Sequence, residues 1–272
     1  MQKISGKEIS RDLIEKLKKQ PAPRKILAAI LVGGDPASIS FLKQKERVAQ
    51  ELGLDFRLYK FPKTIKNDEL RKEIGDIALN KKVGGVVLQL PLPEGVNKYY
   101  VMNIIPREKD IDVLGERAVG AFCHNRNVIA PPSVGVIKEI LERQNVDLKG
   151  LCVAIVGLGD LVGKPISTWL TGRCKELILL DRGGGSALLE RADLIISGVG
   201  QAGLIKEDSL KKGASIIDFG YAHSSDGKLH GDFEINESSQ RTGFYTPTPG
   251  GTGPILVAKL MENFYKLNGG DR

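Results

Sequence analysis

The chain has 272 residues, 41% of them hydrophobic and 27% charged, with 40 Lys+Arg against 33 Asp+Glu for a formal net charge of +7. Such a composition suits about two globular domains with a sizeable core, and the 32 Gly show no three-residue period, which excludes a collagen-like repeat. No run approaches the roughly 18 apolar residues of a membrane span, the N-terminus lacks an apolar signal-peptide centre, and no nucleic-acid module accompanies the positive charge.

A cytoplasmic protein without membrane or nucleic-acid partners is expected. Cys123, Cys152 and Cys174 are scattered and form no CxxC pair, so neither a disulfide framework nor a metal site is expected.

Ile9, Leu13 and Leu17 recur at helical spacing among charges and predict a first helix, which Pro21 and Pro23 end. Residues 25–32 (KILAAILV) read as a buried strand, and Gly33-Gly34-Asp35-Pro36 as a turn. Ser38 is placed to cap a second helix that reaches about Leu52 and stops at Gly53. A strand at 56–61, a helix at 67–79 and a strand at 84–88 follow, the last running into Gln89-Leu90-Pro91-Leu92-Pro93. Alternating strands and helices imply a parallel α/β sheet covered on both faces.

Pro131 and Pro132 mark a boundary, and residues 134–143 read as a helix linking two domains. A second α/β unit starts with a strand at 151–156, then Gly157-Leu158-Gly159-Asp160-Leu161-Val162-Gly163-Lys164-Pro165 and a helix at 166–170. Strands are predicted at 177–180, 194–197, 215–219 and 244–245, and a last helix at 255–267 after a Gly/Pro-rich loop. No solenoid-type repeat is present.

Four constellations carry chemistry. Gly157-x-Gly159-x-x-x-Gly163 follows a strand and opens a helix, where backbone amides can approach a pyrophosphate. Its spacing is one residue longer than GxGxxG, so a plain structural turn also fits. Asp181 ends the next strand, where an acid can bond a ribose hydroxyl, and Arg182 beside it can meet a 2′-phosphate; NAD and NADP both stay open. Phe41 and Lys45 share a helix face, an amine beside an aromatic platform, although a lone lysine also suits a solvated surface.

Gln89 ends a strand, where ligand sites of α/β sheets gather. Lys109-Asp110-Ile111-Asp112 offers two carboxylates able to bond a heterocycle, or merely exposed loop charges. The loop at 245–254 (YTPTPGGTGP) offers backbone amides to a ligand before the last helix, although a purely structural loop fits its composition equally well.

Together these segments resemble the bifunctional methylenetetrahydrofolate dehydrogenase/cyclohydrolase family, the FolD type. The landmarks are GGDPASISFLKQK (33–45), LQLPLP (88–93), PREKDIDVLG (106–115), VGLGDLVGKP (156–165), GDF (231–233) and TPTPGGTGPILVAKLMEN (246–263), and the likeness spans about residues 1–265. It implies two α/β domains with a cleft between them. A folate-binding domain would span 1–130, joined by the last helix at 253–272, and a Rossmann domain would span 131–252.

The resemblance also implies a reaction pair: oxidation of 5,10-methylenetetrahydrofolate by NADP, with NAD as the alternative, and hydrolysis of the methenyl product to 10-formyltetrahydrofolate. Carried over residue by residue, Lys45 matches the catalytic lysine, Gln89 the glutamine that positions it, and Asp112 the acid that holds the pterin. Phe41, Gly250, Gly251 and Pro254 match the substrate site, and Gly157, Gly159, Asp160, Gly163, Asp181 and Arg182 the dinucleotide site. A homodimer is implied, and no metal.

The chain departs from the family pattern at several points. Phe41 stands where tyrosine is usual, Val113 where glycine is usual, and Ala130-Pro131-Pro132-Ser133 where PCTP is usual. Leu158 replaces a polar residue, and 181–185 is rewritten as DRGGG. These departures predict surviving dehydrogenation and weakened hydrolysis. A non-catalytic paralogue that binds folate or dinucleotide is the competing expectation.

Overall fold

The computed structural model describes residues 1–181, 186–223, 229–235 and 243–269. The first part of the chain forms β1 (Gln2–Lys3), α1 (Gly6–Lys18), β2 (Ile26–Val32), α2 (Pro36–Glu51), β3 (Asp55–Phe61), α3 (Asn67–Leu79), β4 (Val83–Leu88), α4 (Lys98–Met102), α5 (Glu116–Cys123) and α6 (Pro132–Arg143). The rest forms β5 (Cys152–Val156), α7 (Gly163–Leu170), β6 (Glu176–Leu180), α8 (Ser186–Leu189), β7 (Leu194–Ser197), β8 (Ile205–Lys206) and β9 (Ser215–Asp218). The short strands β10 (Ala222–His223), β11 (Leu229–His230), β12 (Phe233–Glu234) and β13 (Phe244–Tyr245) lead to α9 (Thr252–Asn268). No described helix is long and apolar enough to cross a membrane.

The chain divides into two compact units, Met1–Arg11 with Ser133–Leu256, and Asp12–Pro132 with Val257–Arg272. The first eleven residues correct the expectation that 1–130 belongs to one domain. Gln2 and Lys3 pair in parallel with Phe244 and Tyr245, so β1 completes a sheet made otherwise from residues after 150. Two exposed residues carry no strand pattern of their own, and only their distant partner reveals them.

In the unit containing Asp12–Pro132, β3-β2-β4 form a parallel sheet with β2 in the middle. Every residue of β2 is buried, which is why ILAAILV is apolar without alternation. Leu70 and Ile74 of α3 pack against Ala28, Ile30 and Val86 in its core.

The cap of α2 differs from expectation. Asp35, not Ser38, is the N-cap: its carboxylate accepts from the Ser38 N–H at 2.8 Å, and Pro36 takes the first helical position. Ser38 lies one turn inside, with its hydroxyl buried. At the other end Gly53 adopts φ 69°, Gly53 N–H bonds Gln50 O at 3.0 Å, and Leu54 N–H bonds Ala49 O at 2.9 Å. These two bonds form a Schellman motif that needs a residue able to take positive φ.

In the unit containing Ser133–Leu256 the six-stranded sheet has the order β1-β13-β9-β7-β5-β6, all parallel. Chain order runs outward from β5 in both directions, to β6 on one side and to β7, β9 and β13 on the other. The topological switch point therefore lies between β5 and β7. In such sheets ligands bind at that place, beyond the carboxyl ends of the strands.

Candidate active site

Lys45 occupies a core position. Leu42, Lys45, Val48 and Ala49 form the buried stripe of α2, so the helix geometry that hides the leucine hides the amine. Lys45 is 6% exposed, and its Nζ donates to Gln89 Oε1 at 3.1 Å. Gln89 directly follows β4. Its backbone N–H donates to Ile30 O at 2.9 Å, and its side-chain Nε2 donates to Leu90 O at 2.7 Å. With the amide nitrogen engaged, the amide oxygen is left to face Lys45.

Asp112 reaches the same place by a different route. Val86 and Asp110 form a parallel bridge, which lays the 110–112 segment beside β4. Asn263 of α9 fastens that segment, its Nδ2 donating to Ile111 O at 2.9 Å and to Ala130 O at 2.8 Å. A Cβ on Gly85 would lie 2.7 Å from the Phe264 ring and 2.9 Å from Ile111, so only glycine lets strand, segment and helix meet.

Burial pushes the Lys45 amine below its ordinary range, and the charge of Asp112 opposes that shift. Burial pushes the Asp112 carboxyl up, and Lys45 opposes that in turn. Phe41, one turn before Lys45, is half-buried.

Asp110 does a different job from Asp112. Its Oδ2 accepts from Leu114 N–H at 3.0 Å and Gly115 N–H at 2.7 Å, fixing the turn that carries the chain away from the site. Burial raises its carboxyl to about 6, with the Gly115 N–H opposing. Val113 passes through this turn at φ 58°, a conformation that costs a β-branched residue roughly 1–2 kcal/mol. It is held there by its own burial against Ala118 and Ile129, which stabilises by about 1.5–3 kcal/mol.

The glycine loop after β5 lies at the switch point. Gly157 takes φ 89° and its N–H donates to Leu180 O at 2.8 Å. A Cβ on Gly163 would sit 1.9 Å from Gly157 O, so the loop closes only with glycine at both ends. Gly159 differs: outside its chain neighbours, no described atom lies within 4 Å of a Cβ built there. That open position lies in the loop between β5 and α7.

Asp160, in the loop before α7, pairs with Lys164 of that helix at 2.6 Å. Asp181 is exposed and directly follows β6. Arg182 lies outside the described residues.

The loop of Gly250, Gly251 and Pro254 belongs to the same compact unit as the glycine loop. Gly250 adopts φ 98°. A Cβ on Gly251 would lie 2.5 Å from Pro247 O, and one on Gly6 would lie 1.7 Å from Gly251 O. The N-terminus of α1 is thus pressed directly onto this loop. Pro254 is half-buried in the first turn of α9, where its missing N–H leaves no gap in the helix. Residues 245–248 also line a cavity of about 430 Å³ together with Gly203, Gly231 and Phe233.

Residues 4–112 match the catalytic domain, and residues 131–269 the NAD(P)-binding domain, of the tetrahydrofolate dehydrogenase/cyclohydrolase family. The chain belongs to this family. It is 33% identical to the bifunctional protein FolD of Helicobacter pylori, covering 94% of this chain and 90% of that one. It is also 33% identical to the bifunctional protein FolD of Bacillus velezensis, over 97% of this chain and 96% of that one.

The crystal structure of the bifunctional FolD enzyme, methylenetetrahydrofolate dehydrogenase/cyclohydrolase, from Campylobacter jejuni is 29% identical and superposes with a TM-score of 0.92 over 99% of each chain. Shikimate 5-dehydrogenase of Thermus thermophilus, 13% identical with a TM-score of 0.55 over 90% of this chain and 94% of that one, shares the fold alone. The family's two-domain α/β fold, with a catalytic and an NAD(P)-binding domain, is the fold of this chain.

Three structural acids and amides escaped the sequence reading of the site. Asn263 sits among apolar residues on the buried side of α9, and an amide at such a position was the available signal. Asp218 and Asp232 are 1% and 0% exposed, at the end of β9 and before β12. The GDF triplet marked Asp232 as a landmark without showing what it bonds.

Proposed function

We propose that the chain oxidises 5,10-methylenetetrahydrofolate with an NAD(P) cofactor and hydrolyses the resulting methenyl cation to 10-formyltetrahydrofolate. The observation that carries this reading is Lys45, a buried amine aimed by Gln89 and biased towards its neutral form beside Asp112. A neutral amine there accepts a proton from the water that adds to the methenyl carbon. Gln89 fixes the direction of that amine, Asp112 bonds the pterin, and the ring of Phe41 stacks on it. Phe41 carries no hydroxyl to share the proton with Lys45, which weakens hydrolysis without abolishing it.

The bound dinucleotide supplies the hydride acceptor. Gly157, Gly159, Asp160 and Gly163 surround its pyrophosphate, and Gly250, Gly251 and Pro254 border the folate. NADP is the assigned cofactor, with Arg182 for the 2′-phosphate; NAD is the alternative, with Asp181 on the ribose hydroxyl. The working form is a cytoplasmic homodimer. What supports the dimer is β6, an edge strand of the six-stranded sheet that leaves Leu179 48% exposed.

A binding-only protein would gain nothing from burying an amine whose desolvation costs stability. The test is a time course with 5,10-methylenetetrahydrofolate and either NADP or NAD, following reduced dinucleotide and methenyl product separately. Reduction without methenyl accumulation is the outcome for two working activities. Reduction with accumulating methenyl places the loss at Phe41. No reduction with either dinucleotide overturns the reading in favour of binding alone.

A further inference from the structure

The carboxylate of Asp232 collects four donors from one short stretch of chain. Ser197 Oγ donates to Oδ2 at 2.6 Å and Val199 N–H to the same oxygen at 2.7 Å. Gly200 and Gln201 N–H groups donate to Oδ1 at 2.9 and 2.8 Å. This stretch is the turn that follows β7, one side of the switch point. The other side is the glycine loop, and the two touch: a Cβ on Gly157 would lie 2.9 Å from Gly198 O, and one on Gly198 would lie 2.7 Å from the Val162 side chain. A displaced 199–201 turn would therefore displace the loop at 157–163.

Asp218 interleaves with Asp232. Its Oδ1 accepts from Gly220 N–H at 2.6 Å and its Oδ2 from Phe233 N–H at 2.9 Å. Each acid fills the space of the glycine beside the other. A Cβ on Gly220 would lie 2.2 Å from Asp232 Oδ1, and one on Gly231 would lie 2.1 Å from Asp218 Oδ2. The backbone of Asp218 reaches on to the last loop, its carbonyl accepting from Thr252 Oγ1 at 2.9 Å and its N–H donating to Thr246 Oγ1 at 2.7 Å. One interlocked pair thus underlies the turn after β7, the end of β9 and the loop of Gly250 and Gly251.

We propose that Asp232 is a positioning residue for the dehydrogenase step, its carboxylate fixing the 199–201 turn under the glycine loop. The proposal rests on the reading of the protein as a dinucleotide-dependent dehydrogenase. It adds a residue that neither contacts folate chemistry at Lys45 nor belongs to the glycine motif. Burial and the charge of Asp232 together push the Asp218 carboxyl up to about 7, against the N–H of Phe233, which marks how closely the pair is packed.

The test compares Asp232→Asn and Ser197→Ala with the unmodified protein in three measurements: NADP and NAD binding by calorimetry, steady-state dehydrogenation, and hydrolysis of methenyltetrahydrofolate supplied directly. Asn at 232 turns an NH₂ towards N–H donors, and a shift of about 1 Å in a positioning loop costs on the order of 10²-fold. The expected result is a loss of that order in dehydrogenase kcat/KM and weaker dinucleotide binding, with hydrolysis kept within about threefold.

Ser197→Ala removes one donor only and gives the same selective pattern at smaller amplitude; it decides the matter if Asp232→Asn does not fold. Unchanged dinucleotide binding and dehydrogenation, or a parallel fall of both activities, overturns the proposal. Should the unmodified protein prove inactive, the function reading fails, while the calorimetric arm still tests the clasp.

Discussion

Lys45 and Asp232 are both buried charged side chains, and the molecule treats them in opposite ways. Lys45 is given one described hydrogen bond, to Gln89, and an acid nearby that only partly offsets its burial. Asp232 is given four donors, three of them backbone N–H groups. An under-satisfied amine is free to exchange protons and therefore suits chemistry. A fully hydrogen-bonded carboxylate resists motion and therefore suits holding. On the proposed roles, the difference separates a reacting group from a fixing one without reference to sequence position.

The comparison can be broken most forcefully at Lys45. Replacing it with methionine keeps the stem and the burial and removes the amine. Hydrolysis should fall by about 10²–10⁴-fold, the usual worth of a positioned acid–base group, with little loss of stability. A Lys45→Met enzyme that hydrolyses methenyltetrahydrofolate at the full rate would remove Lys45 from the chemistry.

Next in size is Gly163→Ala. The new methyl group would meet Gly157 O at 1.9 Å, so the loop must open. Dinucleotide affinity should drop by about tenfold or more, while directly supplied methenyltetrahydrofolate is still hydrolysed. Equal loss of both activities would mean that the two sites are not separable.

A third test uses pH. The Asp218 carboxyl takes up its proton more readily in the folded chain, at about 7, than its ordinary value of 3.8. The native state therefore binds the extra proton between those values. Stability should decline as pH rises through that window and level off above it. Asp110, raised to about 6, acts in the same direction. Asp218→Asn should flatten the decline in urea midpoints between pH 5 and pH 8; an unaltered slope would show that Asp218 does not titrate there.

The smallest effect is expected from Phe41→Tyr, which restores a hydroxyl one turn from Lys45. Hydrolysis should rise by a few-fold, on the order of one hydrogen bond, with dehydrogenation unchanged. No increase in methenyl hydrolysis would count against the account of Phe41.

The regular elements were legible where burial imposed a pattern. The helix at 67–79 was predicted with the bounds of α3, because its apolar residues recur at helical spacing and acids occupy its first turn. The strand at 194–197 coincides with β7, buried throughout and wholly apolar until its final serine. Boundaries set by a cap or a partner were harder. Asp35 outcompeted Ser38 because an acid directly before proline has its carboxylate three residues from the N–H it bonds. Strand β1 was invisible, since only β13, more than two hundred residues later, makes it a strand.

The two sites divide in the same way. Lys45 and Gln89 are 44 residues apart, and no local pattern joins them; the family resemblance named both. Asp232 had no such guide, because its donors lie 31–35 residues earlier and three of the four are main-chain groups. A residue whose partners are backbone leaves no signature in their side chains.

The pairing of β1 with β13 has a consequence for synthesis. As the chain leaves the ribosome, Gln2 and Lys3 emerge more than two hundred residues before the strand they flank, Phe244–Tyr245. The catalytic-domain unit waits as well, for Asn268 of α9 to donate to Gly84 O at 3.1 Å and for Asn263 to fasten Ile111. Neither half can be finished while the other is still being translated. A nascent chain stalled before residue 244 would carry Lys45 and the glycine loop and still hold two unclosed sheet and helix surfaces, a form suited to capture by chaperones rather than to partial activity.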